Sequence, residues 1–302
     1  MINKKELASL IYLLDDSDEE VVEQIESEIL SFGYDAIPFL EEARLSEPEV
    51  LRLERINNII RELKKTEVIR DIVFWQRHDS EDLLKGLLIL EKIEYPLTDS
   101  QSIHNQLDKI RLDAWLEFNY DLTSFEQIKI MNYIFFKVHK FKGNAENYHD
   151  IDNSFISKVL ETKKGNPVSL GIIYSLVAQR LNIPVYGVNL PQHFVLGYKS
   201  IDGIEILKSF NEESSLPEHD SDEVMFYINP FTEGLILNGD SIRSFLKQLH
   251  VEPKPEYFNT CSNVEIVKRV LRNMLFSYEK AQQPEKSEIV KKLLAELTKN
   301  QD

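Results

Sequence analysis

The sequence predicts an α+β protein: a helical first part, then a central helix against an antiparallel sheet, then two closing helices. Three observations predict it. From residue 4 to about 140, apolar residues recur at the helical period with almost no strand signal. Residues 165 to 182 form one long apolar segment that opens with helix-start chemistry. Beyond Asn182, short runs rich in Val, Ile, Phe and Tyr are separated by Gly, Asp and Ser clusters.

The elements follow in order. Leu7, Leu10, Ile11 and Leu14 share one helical face, and Val21, Ile25, Ile29 and Phe32 form the next, after the capping candidates Asp16 and Ser17. Gly33 stops that helix, and a short second one opens near Pro38. The run EEVVEQIESEILSFGYDAIPFLEEA therefore resembles one HEAT-type helical pair. Further helices are expected at about 48 to 64, 67 to 77, 80 to 93, 101 to 118 and 123 to 138, with a loop at EYPLTDSQ. A short helix, FISKVLETKKG, precedes the long one. Strands are expected at PVYGVNL, HFVLGYK, IEILKSF and VMFYINPF, with a polar loop at 210 to 223. The end of the chain reads as a helical hairpin around Gln283 and Pro284. This gives three parts: a helical, HEAT-like region at 1–140, a core at 141–250 and a helical hairpin at 251–302.

Composition narrows the function. Of 302 residues, 35 are Lys or Arg and 51 are Asp or Glu, a formal net charge of −16. Such a field repels phosphate backbones and anionic headgroups, so neither nucleic acid nor a membrane surface is an expected partner. The longest apolar candidates, such as LLKGLLIL at 83 to 90, fall short of a membrane span. One cysteine permits no internal disulfide, and the opening residues lack the apolar core of a signal peptide, so a reducing, cytoplasmic setting is expected.

Metal and cofactor chemistry find no support in the spacing. The acidic group Asp15, Asp16, Asp18, Glu19 and Glu20 lacks a glycine-centred cation loop and reads as a solvated helix start. His78, His104, His139, His149, His219 and His250 show no i, i+4 or His-x-His pairing. The expectation is no metal site and no cofactor.

The long helix carries the sharpest chemical signal. Asn166 is the expected N-cap, Pro167 sits at the favoured first helical position, and Leu170, Ile173, Tyr174, Val177 and Leu181 form the apolar face. Cysteine-type acyl transfer places a thiolate at such a helix start, an imidazole on a facing strand, and a third group that holds the imidazole. Here the order is present: the helix start, then His193 opening a strand, then Asn229 on another strand. The nucleophile is not. Cys261 lies far along the chain, just before a helix capped by Ser262 or Asn263, and reads as a half-buried junction cysteine.

Residues 140 to 237 resemble the transglutaminase-like fold, specifically bacterial SirB-type proteins with transglutaminase-like core 2. The resemblance is carried by NSFISKVLETKKGNPVSLGIIYSLVAQRLNIPVYGVNLPQHFVLGY from Asn153 to Tyr198 and by INPFTEGLIL from Ile228. The tail RVLRNMLFSYEKA is similar to the helices that follow the core in such proteins. The resemblance implies a Cys-His-Asp order with the nucleophile near Pro167 to Ser169, the histidine at His193 and the acid at Asn229. Two of the three positions depart from it. SirB-type proteins commonly keep the histidine and lack the cysteine, and Asn229 holds an imidazole without supplying charge for its cation.

Two functions follow as expectations. The first is a catalytically inactive transglutaminase-like protein acting as a protein- or peptide-binding, regulatory module, its inherited groove lined by Asn166, Pro167, Gln192 and Tyr148. The second is a residual amide hydrolase or acyltransferase using Ser169, or a spatially delivered Cys261, with His193. The loss of both cysteine and aspartate favours the first.

Overall fold

The computed structural model describes residues 4–119, 121–199 and 224–299. The chain divides into two compact units, Met1–Trp75 and Gln76–Asp302. It is mostly helical, with a small antiparallel sheet.

The first unit holds α1 (Lys4–Tyr12), α2 (Glu19–Ser31), α3 (Ile37–Ser46) and most of α4 (Val50–His78). Leu7, Ile11, Ile29, Leu40, Ile56 and Ile60 meet in its core. Three expectations are corrected here. The cap of α2 is Asp18, which accepts from the Glu20 N–H at 3.0 Å, while Asp16 accepts from the Asp18 N–H and shapes the preceding turn. That start phases Val22, rather than Val21, into the core with Ile25 and Ile29. The helices expected at 48 to 64 and 67 to 77 are one 29-residue helix, because Lys65 and Thr66 between them break nothing. Gly33 has φ +66° with open space around it, so the left-handed backbone, not crowding, calls for glycine there.

The second unit begins with α5 (Leu83–Glu91), α6 (Ser100–Trp115) and α7 (Ser124–Asn132), the last continuing as a π-helical turn over Tyr133–Val138. Then come β1 (Lys142–Gly143), α8 (Ile156–Thr162), β2 (Lys164–Gly165), α9 (Pro167–Gln179), β3 (Val185–Leu190), β4 (His193–Lys199), β5 (Val224–Asn229) and β6 (Leu235–Leu237). The unit ends with α10 (Gly239–Gln248), α11 (Asn263–Lys280) and α12 (Pro284–Lys299). β1 and β2 pair in parallel, and β3, β4, β5 and β6 form one antiparallel sheet in that order. The strand read at IEILKSF, the loop read at 210 to 223 and His219 lie outside the described residues.

α9 is buried on every side rather than along one face: each residue from Pro167 to Ala178 is buried. Its sequence is apolar all round, which is the pattern of a helix enclosed by its neighbours. Gly171 gives the close approach to the sheet, since a Cβ there would press on the Phe194 ring and touch Leu196. Phe194 and Leu196 therefore face α9. By strand alternation His193 and Val195 face the other way, where Val195 packs with Tyr227, Ile242 and Leu246. Among the described residues no helix is long and apolar enough to cross a membrane.

Candidate functional site

The start of α9 is a reciprocal cap. The Asn166 side-chain oxygen accepts from the Val168 and Ser169 N–H groups, both at 2.9 Å. The Asn166 N–H in turn donates to Ser169 Oγ at 3.1 Å, and that hydroxyl donates to the Asn166 carbonyl at 3.3 Å. Pro167 at the first helical position has no N–H and so needs no acceptor. Asn166 and Ser169 are both buried, so their mutual bonds stand in for water. Gly165 leaves room for this arrangement, since a Cβ there would lie 2.6 Å from Ser169 Oγ.

His193 opens β4, opposite Leu190 across the β3–β4 turn. Its ring packs against Phe245 of α10 at 5.5 Å between centroids. Burial, helped by the Arg269 charge, holds the imidazole below its ordinary pKa, so the ring is neutral at neutral pH. Ser169 and His193 thus belong to different surroundings: the hydroxyl serves its own helix turn, and the ring sits on the sheet face turned from α9.

Asn229 ends β5, and its side-chain oxygen accepts from the Phe231 N–H at 3.1 Å, capping the turn Pro230–Thr232. The Cys261 N–H donates to the Gly187 carbonyl at 2.8 Å, beside β3. Burial pushes its thiol up to about 12, so it carries a neutral S–H and not a thiolate. Gln192 is exposed at the β3–β4 turn with φ 57°. Tyr148 is exposed and meets His149 and Phe231 edge-on, at 5.1 and 5.8 Å.

Two residues that the motif order does not mark prove central. Asn153 is buried, donates to the Asn147 and Tyr148 carbonyls at 2.7 and 3.1 Å, and accepts from Asn144 at 2.9 Å, so it sets the loop that carries Tyr148. Arg269 of α11 holds the β3–β4 turn: Nη1 donates to Asn189 Oδ1 at 3.1 Å and to the Leu190 carbonyl at 3.2 Å, and Nη2 makes a longer bond of 3.5 Å to the His193 carbonyl. Asn153 carried a local signal in its Asn-Ser pair. Arg269 carried none, because its partners lie about eighty residues earlier in the chain.

Residues 101–272, more than half of the chain, match a family model described as the transglutaminase-like superfamily, core 2. A UPF0162 protein of Xylella fastidiosa is 28% identical over 198 residues, covering 64% of this chain and 63% of that one. Protein SirB1 of Salmonella typhimurium is 25% identical over 198 residues, 64% of each chain. Human F-box only protein 21 is 38% identical over 144 residues, 40% of this chain and 23% of that protein. The chain thus spans slightly less than two thirds of the bacterial relatives it matches. No solved structure matches it. By that match over more than half of its length, the chain belongs to the transglutaminase-like superfamily.

Proposed function

We propose that this protein is a catalytically inactive member of its superfamily that works in the cytoplasm as a protein- or peptide-binding, regulatory module. One observation carries this reading: the Ser169 hydroxyl, at the nucleophile position, is bonded through both its proton and its lone pairs to Asn166. A nucleophile needs a base within hydrogen-bond reach. Here the imidazole packs on Phe245 and the serine would have to give up a buried cap to react. Cys261, as a half-buried neutral thiol, offers no better nucleophile. In this reading residues 1–140 are a helical, HEAT-like region, 141–250 the core and 251–302 a closing helical hairpin. Of the expected groove residues, Gln192 and Tyr148 are exposed and Asn166 and Pro167 are buried at the start of α9, with His193 and Asn229 as relics of the triad. The partner is a protein or peptide rather than nucleic acid or a membrane, in keeping with the net charge of −16.

The test is an assay of the full chain for glutamine deamidation, transamidation and peptide hydrolysis, run beside His193→Ala and Ser169→Ala. No turnover by any of the three supports the reading. Turnover by the parent chain that vanishes in His193→Ala, with folding kept, overturns it and favours the residual hydrolase or acyltransferase.

A further inference from the structure

Arg269 is a half-buried guanidinium whose acceptors are all neutral. A guanidinium has five N–H donors. Three are used, two from Nη1 and one from Nη2, which leaves five minus three, that is, the Nε–H and one Nη2–H. The two remaining donors suit a charged acceptor, which a guanidinium holds more strongly than a neutral one. Arg272 sits three residues on, on the adjoining part of the α11 surface. It is exposed, and among the described residues neither arginine has a carboxylate partner. In a chain with 16 more acidic than basic side chains, two adjacent arginines without a counter-ion stand out.

The surroundings say what kind of anion suits them. Phe276, one turn beyond Arg272, is exposed and packs on His149 at 4.7 Å, and His149 meets Tyr148. Asn153, which donates to the Tyr148 carbonyl, belongs to the turn Ile151–Ser154 that packs against α11. The basic pair is therefore flanked by exposed rings. A polyacidic segment would meet repulsion from the rest of the surface, whereas a single carboxylate beside an apolar side chain would not. We infer that Arg269 and Arg272, with Tyr148 and Phe276 beside them, form a site for the free C-terminal carboxylate of a peptide whose last residue is apolar or aromatic. The site deepens the binding reading above and rests on it.

The experiment is fluorescence anisotropy with the full chain and a fluorescein-labelled Gly-Ser-Gly-Leu-Phe peptide, as free acid and as C-terminal amide. The acid is expected to bind and the amide to bind about tenfold or more weakly, the scale of a charge-assisted hydrogen bond. Arg272→Ala is expected to weaken the acid by a similar factor with the circular dichroism spectrum unchanged. Equal binding of acid and amide, no effect of Arg272→Ala, or no binding of the acid up to about 1 mM each overturns the inference. Displacement of the acid by equimolar inorganic phosphate would also overturn it, by marking a general anion site. Mass spectrometry of the recovered peptide separates the two levels. An intact but unbound peptide defeats this site alone, and a cleaved peptide defeats the non-catalytic reading itself.

Discussion

The Glu91 carboxylate caps a helix to which it does not belong. It lies at the end of α5, and its two oxygens accept from the N–H and the hydroxyl of Ser157, at 2.9 and 2.6 Å, in the first turn of α8. Phe155, the residue at the N-cap position of α8, has no side-chain oxygen to do this. A buried acid from 66 residues earlier supplies it instead.

Replacing Glu91 with Ala removes the acceptor and leaves the half-buried Ser157 donors without it, which costs about 1–3 kcal/mol, measured as a lower urea midpoint with unchanged slope. Glu91→Gln adds a sign test. Burial raises the Glu91 pKa in the folded chain, against the pull of the Ser157 bonds. As pH rises the unfolded chain ionises first, so the stability Glu91 contributes is full below the ordinary carboxylate range and declines as pH climbs through the folded value. The parent chain should therefore lose stability relative to Glu91→Gln as pH rises across that window. A difference independent of pH would refute the assignment.

Gly234 and Asn132 cannot both be kept if a side chain is added at Gly234. Its φ is +76°, and a Cβ would collide with the Asn132 amide. That amide donates to the Gly234 carbonyl at 2.9 Å and accepts from the fully buried Tyr174 hydroxyl at 3.0 Å. Gly234→Ala should cost about 2–4 kcal/mol, combining the left-handed backbone with lost hydrogen bonds, read as a lower melting temperature. Asn132→Ala alone should cost about 1–3 kcal/mol.

The Asn166–Ser169 cap predicts a contrast in stability and labelling. Asn166→Ala should destabilise by about 1–2 kcal/mol, at the upper end of cap removals because the site is buried. Ser169 should resist a fluorophosphonate probe in the folded chain, since its hydroxyl is occupied within the cap. Labelling of Ser169 that disappears in His193→Ala would mean that the two residues act together.

Two histidines set the response to acid. Burial lowers the pKa of His193, with Arg269 adding to it, and burial lowers that of His139 despite its 2.8 Å contact with Asp113. In both cases the unfolded chain takes up the proton first. The stability they contribute is full above about 6.5, the ordinary imidazole value, and falls as pH drops through the folded values. His193→Gln should flatten part of that decline in a series of urea melts. An NMR titration should put the His193 midpoint below the ordinary one.

Cys261 should be silent to iodoacetamide at neutral pH and react once urea unfolds the chain, because burial holds its thiol near 12 in the folded state. Rapid alkylation of the folded protein, followed by mass, would contradict that environment.

The sequence by itself determined the start of α9, the run of strands after Asn182 and the family frame. It could do so because caps, proline positions and hydrophobic period act over a few neighbouring residues: Asn166, Pro167 and Ser169 write their own helix start. Phase was less secure. Val21 and Val22 are both plausible members of one stripe until the cap at Asp18 fixes where the helix begins. Tertiary structure alone decided the rest. It commits the Ser169 hydroxyl to Asn166, turns the His193 ring toward Phe245, brings Glu91 to α8, and lays Arg269 across the β3–β4 turn. Each of these depends on partners brought together from elsewhere in the chain or on which sheet face packs against which helix, and such pairings leave no mark in local sequence.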